Sequence, residues 1–357
     1  MKILYVGYYN PHFMTVTEYV ERALRDLGHE LETVNYGHWL IPGRIRAKVP
    51  ALDKWDMRRL NRLLVEKAEV FRPDMVIVFG ATNIYPETIA EIKRRFNPVT
   101  VNMIADFPLE FAFHVKSGPY YDFFFPSGTD GLMQYEKAGN TNGHWLPFGC
   151  DPELHKPVEL TPEDKEKYGC DICFVGSNYS ERAAVLEYLA DFNLGLWGIG
   201  WERLPKDSKL RRHVRGGMLR PDEWVKAFSA AKIVLNIVVR RADISQPFAL
   251  SLKDEDFRMC NTRVFEILGC GAFQLVDSKA DVLALFRGKE HIALFDYDRP
   301  EQIAEIAGYY LAHPEEREMI AAAGRREALE KHTYKRRMEE MFSIIRNDTR
   351  SGKNCSI

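Results

Sequence analysis

The chain has no strong charge of either sign, no long hydrophobic run and few cysteines, and each absence removes a class of function. Forty-nine Lys and Arg against fifty-one Asp and Glu leave a formal net charge of −2 over 357 residues. No global basic field therefore points to nucleic acid as a partner. No apolar run approaches the ~20 residues needed to cross a bilayer. No secretory leader is expected, because Lys2 is followed at once by the strand-like run Ile3 to Val6 and then by Gly7. A cytoplasmic location is the expectation. Six cysteines (150, 170, 173, 260, 270 and 355) are too scattered for a disulfide framework. Cys170 and Cys173 form a CxxC, but no second pair or suitably spaced histidine completes a zinc site. The pair leads into a strand and not a helix, unlike a thioredoxin-type motif, so buried free thiols are expected. A GxGxxG is also missing, and with it the dinucleotide-binding fingerprint.

What is present is ordinary globular composition, 46% hydrophobic and 28% charged, in a chain long enough for two domains of roughly 150 to 180 residues. Lys2 to Tyr8 reads as a buried parallel strand with Tyr9-Asn10-Pro11-His12 as the loop after it. Thr15 or Thr17 opens a helix that closes at Gly28. Leu31 to Asn35 is a second strand, and β-loop-α-β is the opening of an α/β sheet. Residues 44 to 67 interleave Arg44, Arg46, Lys48, Lys54, Arg58, Arg59, Arg62 and Lys67 with Val49, Leu52, Trp55, Leu60, Leu63 and Leu64. The plain expectation is a solvated helix face beside a core face. The sharper one is a basic surface for an acidic acceptor or an anionic membrane, a peripheral contact. Pro73 to Gly80, Val99 to Ile104 and Tyr121 to Pro126 are further strands. The second of these runs into Asp106 at its carboxyl end, where open α/β sheets bind their ligands. Asp106 is thus the candidate general base or acceptor anchor, with Asn10, His12 and His114 as lesser acceptor candidates.

Trp145 to Pro157 carries three prolines and a glycine between periodic segments and reads as a connection between domains. The α/β pattern restarts at Asp171-Ile-Cys-Phe-Val-Gly-Ser-Asn, a strand followed by a loop of small residues. A helix over 183–190 follows, with Ser180 as its cap and Arg182 in its first turn. Small residues at Gly176, Ser177 and Asn178 allow backbone N–H groups to approach an oxyanion. Strands follow at Leu194 to Trp197 and Ala231 to Val238, with a Pro-initiated helix from Pro221 between them. Residues 240 to 256 form a polar loop holding Arg240 and Arg241, and helices close the chain from Pro300 onward.

The stretch Met259 to Asp277 concentrates the chemistry. Asn261 and Thr262 are N-cap candidates, and a helix start offers unpaired N–H groups and a partial positive charge to a phosphate. Arg263 adds a permanent cation with forked donors. Glu266 is four residues from Thr262 and three from Arg263, on one helix face, where a carboxylate can accept hydrogen bonds from a ribose diol. The same spacing equally builds an Arg263–Glu266 ion pair on an ordinary amphipathic helix, and spacing alone does not separate the two. Gly269 and Gly271 let the helix end tightly against the strand from Phe273 to Asp277.

These residues together resemble a GT-B glycosyltransferase, in particular the CgeB-like (spore maturation protein, glycosyl transferase family 1-like) branch. The resemblance rests on Asp171-Ile-Cys-Phe-Val-Gly-Ser with Arg182, on Asn261-Thr-Arg-Val-Phe-Glu-Ile-Leu-Gly-Cys-Gly, and on His332-Thr-Tyr followed by Arg336 and Arg337. It implies two Rossmann-like α/β/α domains facing across a cleft: 1–150 on the acceptor side and 151–333 on the donor side. A C-terminal helix, 334–346, would return to the first domain, and 347–357 would be a disordered tail. Glu266 would then bind the ribose of a UDP- or GDP-sugar. Asn261, Thr262, Arg263, Gly176, Ser177, Asn178 and Arg182 would sit by the diphosphate, and the turn with Gly217 and Met218 would border the base. Related retaining transferases carry two glutamates with seven residues between them; here Arg258 stands where the first would be. Helix N–H groups with Arg263 and Arg182 would stabilise the leaving diphosphate. Asp254-Glu255-Asp256 matches a DxD metal motif in letters but lies in a polar loop, so no metal and no cofactor are expected. The acceptor would be a glycan, protein or small molecule. A nucleotide-sugar epimerase of the same fold, or a non-catalytic nucleotide- or glycan-binding protein of a coat or surface assembly, are the alternatives.

Overall fold

The computed structural model describes residues 1–105, 111–238 and 257–348. The chain divides into two compact units, Met1–Pro147 together with the segment from Tyr334 onward, and Phe148–Thr333.

The first unit runs β1 (Lys2–Gly7), α1 (Val16–Asp26), β2 (Glu30–Asn35), α2 (Gly43–Arg46), α3 (Pro50–Phe71), β3 (Met75–Phe79), α4 (Pro86–Phe96), β4 (Val99–Ile104), α5 (Phe111–Ser117), β5 (Phe123–Pro126) and α6 (Thr129–Lys137). Its five strands are parallel in the order β2-β1-β3-β4-β5. Strands β3 and β4 are buried along their whole length, as parallel strands covered on both faces must be. Leu60 and Leu64 of α3 and Ile89 and Ile92 of α4 close one face over Leu4, Val6, Val76 and Val78. Helix α1 begins at a Thr15–Glu18 capping box and stops before Gly28, whose φ of +82° reverses the chain.

The stretch 44–67 has the expected core face in Leu60 and Leu64 and the expected wet face in Lys54, Arg58 and Arg62, but its first part departs from that division. It breaks at Pro50 into α2 and α3, and Val49, Leu52 and Trp55 are exposed. Ahead of Leu60 the residue turned inward is Asp56, whose Oδ2 accepts the N–H groups of Leu40 and Ile41 at 3.0 Å each.

The second unit runs α7 (Pro162–Tyr168), β6 (Cys170–Val175), α8 (Ser180–Glu187), β7 (Leu194–Trp197), β8 (Val214–Gly216), α9 (Pro221–Ala230), β9 (Ala231–Asn236), α10 (Thr262–Gly269), β10 (Gln274–Asp277), α11 (Ala280–Leu285), β11 (Ala293–Phe295), α12 (Ile303–Ala312) and α13 (Pro314–Lys331). Its strands are again parallel, in the order β11-β10-β9-β6-β7-β8. Helix α8 starts three residues before the expected 183, with Tyr179 and not Ser180 as its cap. The N–H groups of Asp171 and Ile172 both donate to Asn193 O (2.9 and 3.2 Å). Cys170 and Cys173 lie in the same apolar cluster. All five described cysteines are buried free thiols; Cys355 lies outside the described residues.

The last helix, α14 (Tyr334–Asn347), returns to the first unit. It buries Tyr334, Met338, Met341, Phe342 and Ile345, setting Tyr334 against Tyr19 (5.8 Å between ring centres) and Phe342 against His29 (4.9 Å). No described helix is long and apolar enough to cross a membrane.

Candidate functional site

In the second sheet the chain runs outward from β6 to β7 and β8 on one side, and from β9 to β10 and β11 on the other. The carboxyl ends of the adjacent strands β6 and β9 therefore form the switch point, where connections diverge and leave a crevice. Most of the donor residues picked from the sequence gather there. Gly176, Ser177 and Asn178 follow β6, and Asn261, Thr262 and Arg263 start α10, beside Asn236 at the end of β9, a residue the sequence did not single out.

The loop after β6 is held by the loop after β7. Gly176 N–H donates to Trp197 O (2.9 Å) and Asn178 N–H to Ile199 O (2.8 Å). Asn178 Nδ2 reaches Gly200 O (3.1 Å), and Trp201 Nε1 donates to Gly176 O (3.0 Å). Gly198 has φ +144°, and a Cβ on it would lie 2.0 Å from Gly176 O, so only glycine permits this approach. The expected oxyanion cradle is accordingly smaller. Two of its three N–H groups are committed to the β7 loop, and Ser177 N–H is the one outside that ladder. Gly198 and Gly200 are supporting residues passed over in the sequence, although a glycine doublet just after a strand was a readable signal.

Arg182 does not reach toward a ligand as expected. Its side chain is buried, with Nη1 donating to Ser177 O (3.1 Å) and Nη2 to Ile237 O (2.7 Å). One guanidinium thus ties the end of β6 to the end of β9, the planar fork spanning two carbonyls as a lysine could not. Asp277 Oδ1, at the end of β10, takes Val238 N–H (3.0 Å). With Ile237 and Val238 bonded outward, β9 ends at Asn236, two residues earlier than expected.

Helix α10 begins at Thr262 behind Asn261, as its letters indicate, but Asn261 does not cap with its side chain. It exchanges two side-chain hydrogen bonds with Asn236 (3.0 and 3.1 Å). The first-turn N–H groups, and the partial positive charge they carry, thus have no side-chain cap. Arg263 Nη1 lies 2.6 Å from Glu266 Oε2, and the guanidinium sits over Trp224 (4.6 Å to the ring centre) and Phe228 (5.5 Å) of α9. Glu266 is 6% exposed, and the Arg263 side chain keeps 26% exposure. This is the ion pair that the ordinary-helix reading of the spacing expects, set one turn inside an uncapped helix start.

Gly217 and Met218 are exposed beyond the edge strand β8, two strands and about 10 Å from β6 by sheet spacing. A second Asp-any-Asp, Asp296-Tyr297-Asp298, directly follows β11 and was passed over in the sequence. Asp296 accepts Asp298 N–H (3.0 Å) and pairs with Arg299 Nε (3.0 Å) at the opposite edge of the sheet. Asp254-Glu255-Asp256, Arg240 and Arg241 lie outside the described residues.

In the first unit the switch point lies between β1 and β3. Asn10 and His12 share the loop after β1, where Asn10 Oδ1 accepts His12 N–H (2.9 Å) and shapes the turn. His114 is not with them. It is buried, 3.4 Å from Asn102 Nδ2, and offers an acceptor no surface. Asp106 lies outside the described residues.

Residues 171–343 match the glycosyl transferase-like family. Among curated proteins the chain is similar to the spore protein CgeB of Bacillus subtilis (strain 168), 22% identical over 277 residues, covering 75% of this chain and 81% of CgeB. Among solved structures it is similar to sucrose-phosphate synthase from Thermosynechococcus elongatus, with a TM-score of 0.67, 11% identity, and 98% and 99% of the two chains covered. It is also similar to Anabaena HepE in complex with UDP and glucose, with a TM-score of 0.63, 12% identity, and 97% and 99% covered.

Proposed function

We propose that this chain, a GT-B glycosyltransferase resembling CgeB, moves a glycosyl group from a nucleoside-diphosphate sugar to a glycan, protein or small-molecule acceptor without a metal. The observation that carries the reading is the convergence at the β6–β9 switch point. Ser177 follows β6, and the uncapped start of α10, with the Arg263–Glu266 pair in its first turns, is tied by Asn261 to Asn236 at the end of the adjacent strand β9. UDP in the HepE complex makes a UDP-sugar the first donor to try, with a GDP-sugar next.

Transfer requires the diphosphate to leave with developing negative charge on its β-phosphate. Arg263 and the first-turn N–H groups of α10 are placed to stabilise that charge, and Glu266 to accept from the ribose diol. Trp224, Phe228 and Glu266 already hold the cation at the helix start, so it needs little reorganisation when a donor arrives. In this reading Arg182 braces the two loops and acts on the donor only through them, while the Gly217–Met218 turn borders the base. Asp106 is the base if the reaction inverts, and an acceptor-positioning group with Asn10 and His12 if it retains.

A thermal-shift panel of UDP, GDP, ADP and CMP tests the donor site. Stabilisation by one diphosphate that disappears in Glu266→Ala supports the proposal. No shift with any of the four, or one that survives the substitution, contradicts it.

A further inference from the structure

Helix α2 and the first three turns of α3 leave an unusual surface on the first unit. Leu40 (55% exposed), Ile45 (45%) and Trp55 (53%), with Val49 and Leu52, all project into solvent. Ala51, Trp55, Arg58 and Arg62 follow the i, i+4, i+7, i+11 spacing of one stripe along α3, and all four are exposed.

The charges around these apolar groups are of one sign in effect. Between Leu40 and Arg62 the acids are Asp53 and Asp56 alone, and both are consumed internally. Asp53 pairs with Arg46 at 2.9 Å. Asp56 is buried, pairs with Arg59 at 2.9 Å and takes the N–H groups of Leu40 and Ile41. Arg44, Lys48, Lys54, Arg58 and Arg62 are exposed and make no ion pair among the described residues. The arrangement is braced as well. Arg46 lies over the Trp39 ring (3.7 Å to its centre) and donates to Ile41 O (3.1 Å), so α2 is fixed against the loop that carries Leu40.

We propose that this face docks the protein on an anionic phospholipid bilayer. Exposed aliphatic side chains and a tryptophan on one stretch of surface, interspersed with long cationic side chains, match a layer whose outside is negative and whose next few ångströms are apolar. Lys and Arg lay their stems along the apolar boundary and keep the charge at the headgroups. A nucleic acid or an acidic protein surface would use the five cations but would leave Leu40, Ile45, Val49 and Leu52 against a polar partner. With no described helix able to cross a membrane, the contact is one of lying on the surface. It rests on observations separate from those behind the donor site.

The test is co-sedimentation of the full chain with phosphatidylcholine vesicles, with and without phosphatidylglycerol. The expected result is binding to the phosphatidylglycerol-containing vesicles only, weakened by added salt. Lys48→Glu with Arg58→Glu should lower the partition coefficient at least about tenfold. Leu52→Ser with Trp55→Ser should lower it comparably. Arg203→Glu with Lys206→Glu, an equal charge change on exposed residues of the second unit, should leave it unchanged. All positions are on the surface, and unchanged melting temperatures confirm that each variant folds. No binding to anionic vesicles would overturn the proposal. So would binding that survives the apolar double substitution, which would mark the face as a site for soluble polyanions.

Discussion

Arg182 and Asp56 show how a buried charge is put to structural use when its partners are chosen by the fold. Arg182 was expected at a phosphate because it follows a Gly-Ser loop. Its actual partner, Ile237 O, lies 55 residues away, and nothing local to 171–182 announces it. Arg182→Lys keeps the charge but cannot bridge both carbonyls, and should cost roughly 2–4 kcal/mol of stability as two charge-assisted hydrogen bonds are weakened. Urea unfolding reads this directly, and nucleotide affinity should fall with it. Asp56 is a different case. Burial works to raise its pKa, but the N–H of Ile41, the Arg59 guanidinium and the N–H of Leu40 together hold it below the ordinary 3.8. A folded pKa below the unfolded one adds stability that is complete above the ordinary carboxylate range and is lost as pH falls through the depressed value. Asp56→Asn should therefore lower the melting temperature of the first unit at neutral pH, and the gap from wild type should shrink below about pH 4.

At the scale of elements, the local grammar of the sequence was a good guide wherever an element is decided by its own letters. Thr15 with Glu18, Gly28, Pro221 and the start of α10 at Thr262 are all where caps and breakers put them. Boundaries moved where a distant group intervened. Strand β9 stops early because Arg182 and Asp277 take the backbone of Ile237 and Val238. Asn261 heads α10 but spends its side chain on Asn236, 25 residues earlier. The apolar letters Val49, Leu52 and Trp55 were legible as an amphipathic pattern, yet which side faced the core turned on Asp56 and its distant N–H partners. The β7 loop was legible only as glycines without a role. Its contribution can be tested by Gly198→Ala, which forces a Cβ against Gly176 O and strains a φ of +144°. The substitution should destabilise the second unit by at least about 2 kcal/mol and displace the Ser177 loop. Isothermal titration should then show weaker nucleotide binding, beyond what the lowered melting temperature explains.

For the whole molecule, the doubly wound order of both sheets and the returning helix give a fold like that of sucrose-phosphate synthase and HepE, and the family match over residues 171–343 covers the part with the sharper motifs. Helix α14 is integral to the first unit. Its five buried apolar side chains, at ~1.5–3 kcal/mol each, are together comparable with the whole stability of a domain. A chain ending at Thr333 should accordingly lose the unfolding transition of the first unit and keep that of the second, as calorimetry would reveal. Transfer should require an added acceptor and persist in EDTA; inhibition rescued by Mn²⁺ would contradict the metal-free reading.

The most direct test of the donor site compares ligands that carry one end of the nucleotide or both. Titration of UDP and of uridine into wild type, Arg263→Ala and Glu266→Gln separates the two roles. Arg263→Ala should weaken UDP by about a hundredfold and leave uridine unchanged, whereas Glu266→Gln should weaken both. Wild-type affinity for UDP in both variants, or equal loss of UDP and uridine on removing Arg263, would mean that the pair serves only the helix that carries it.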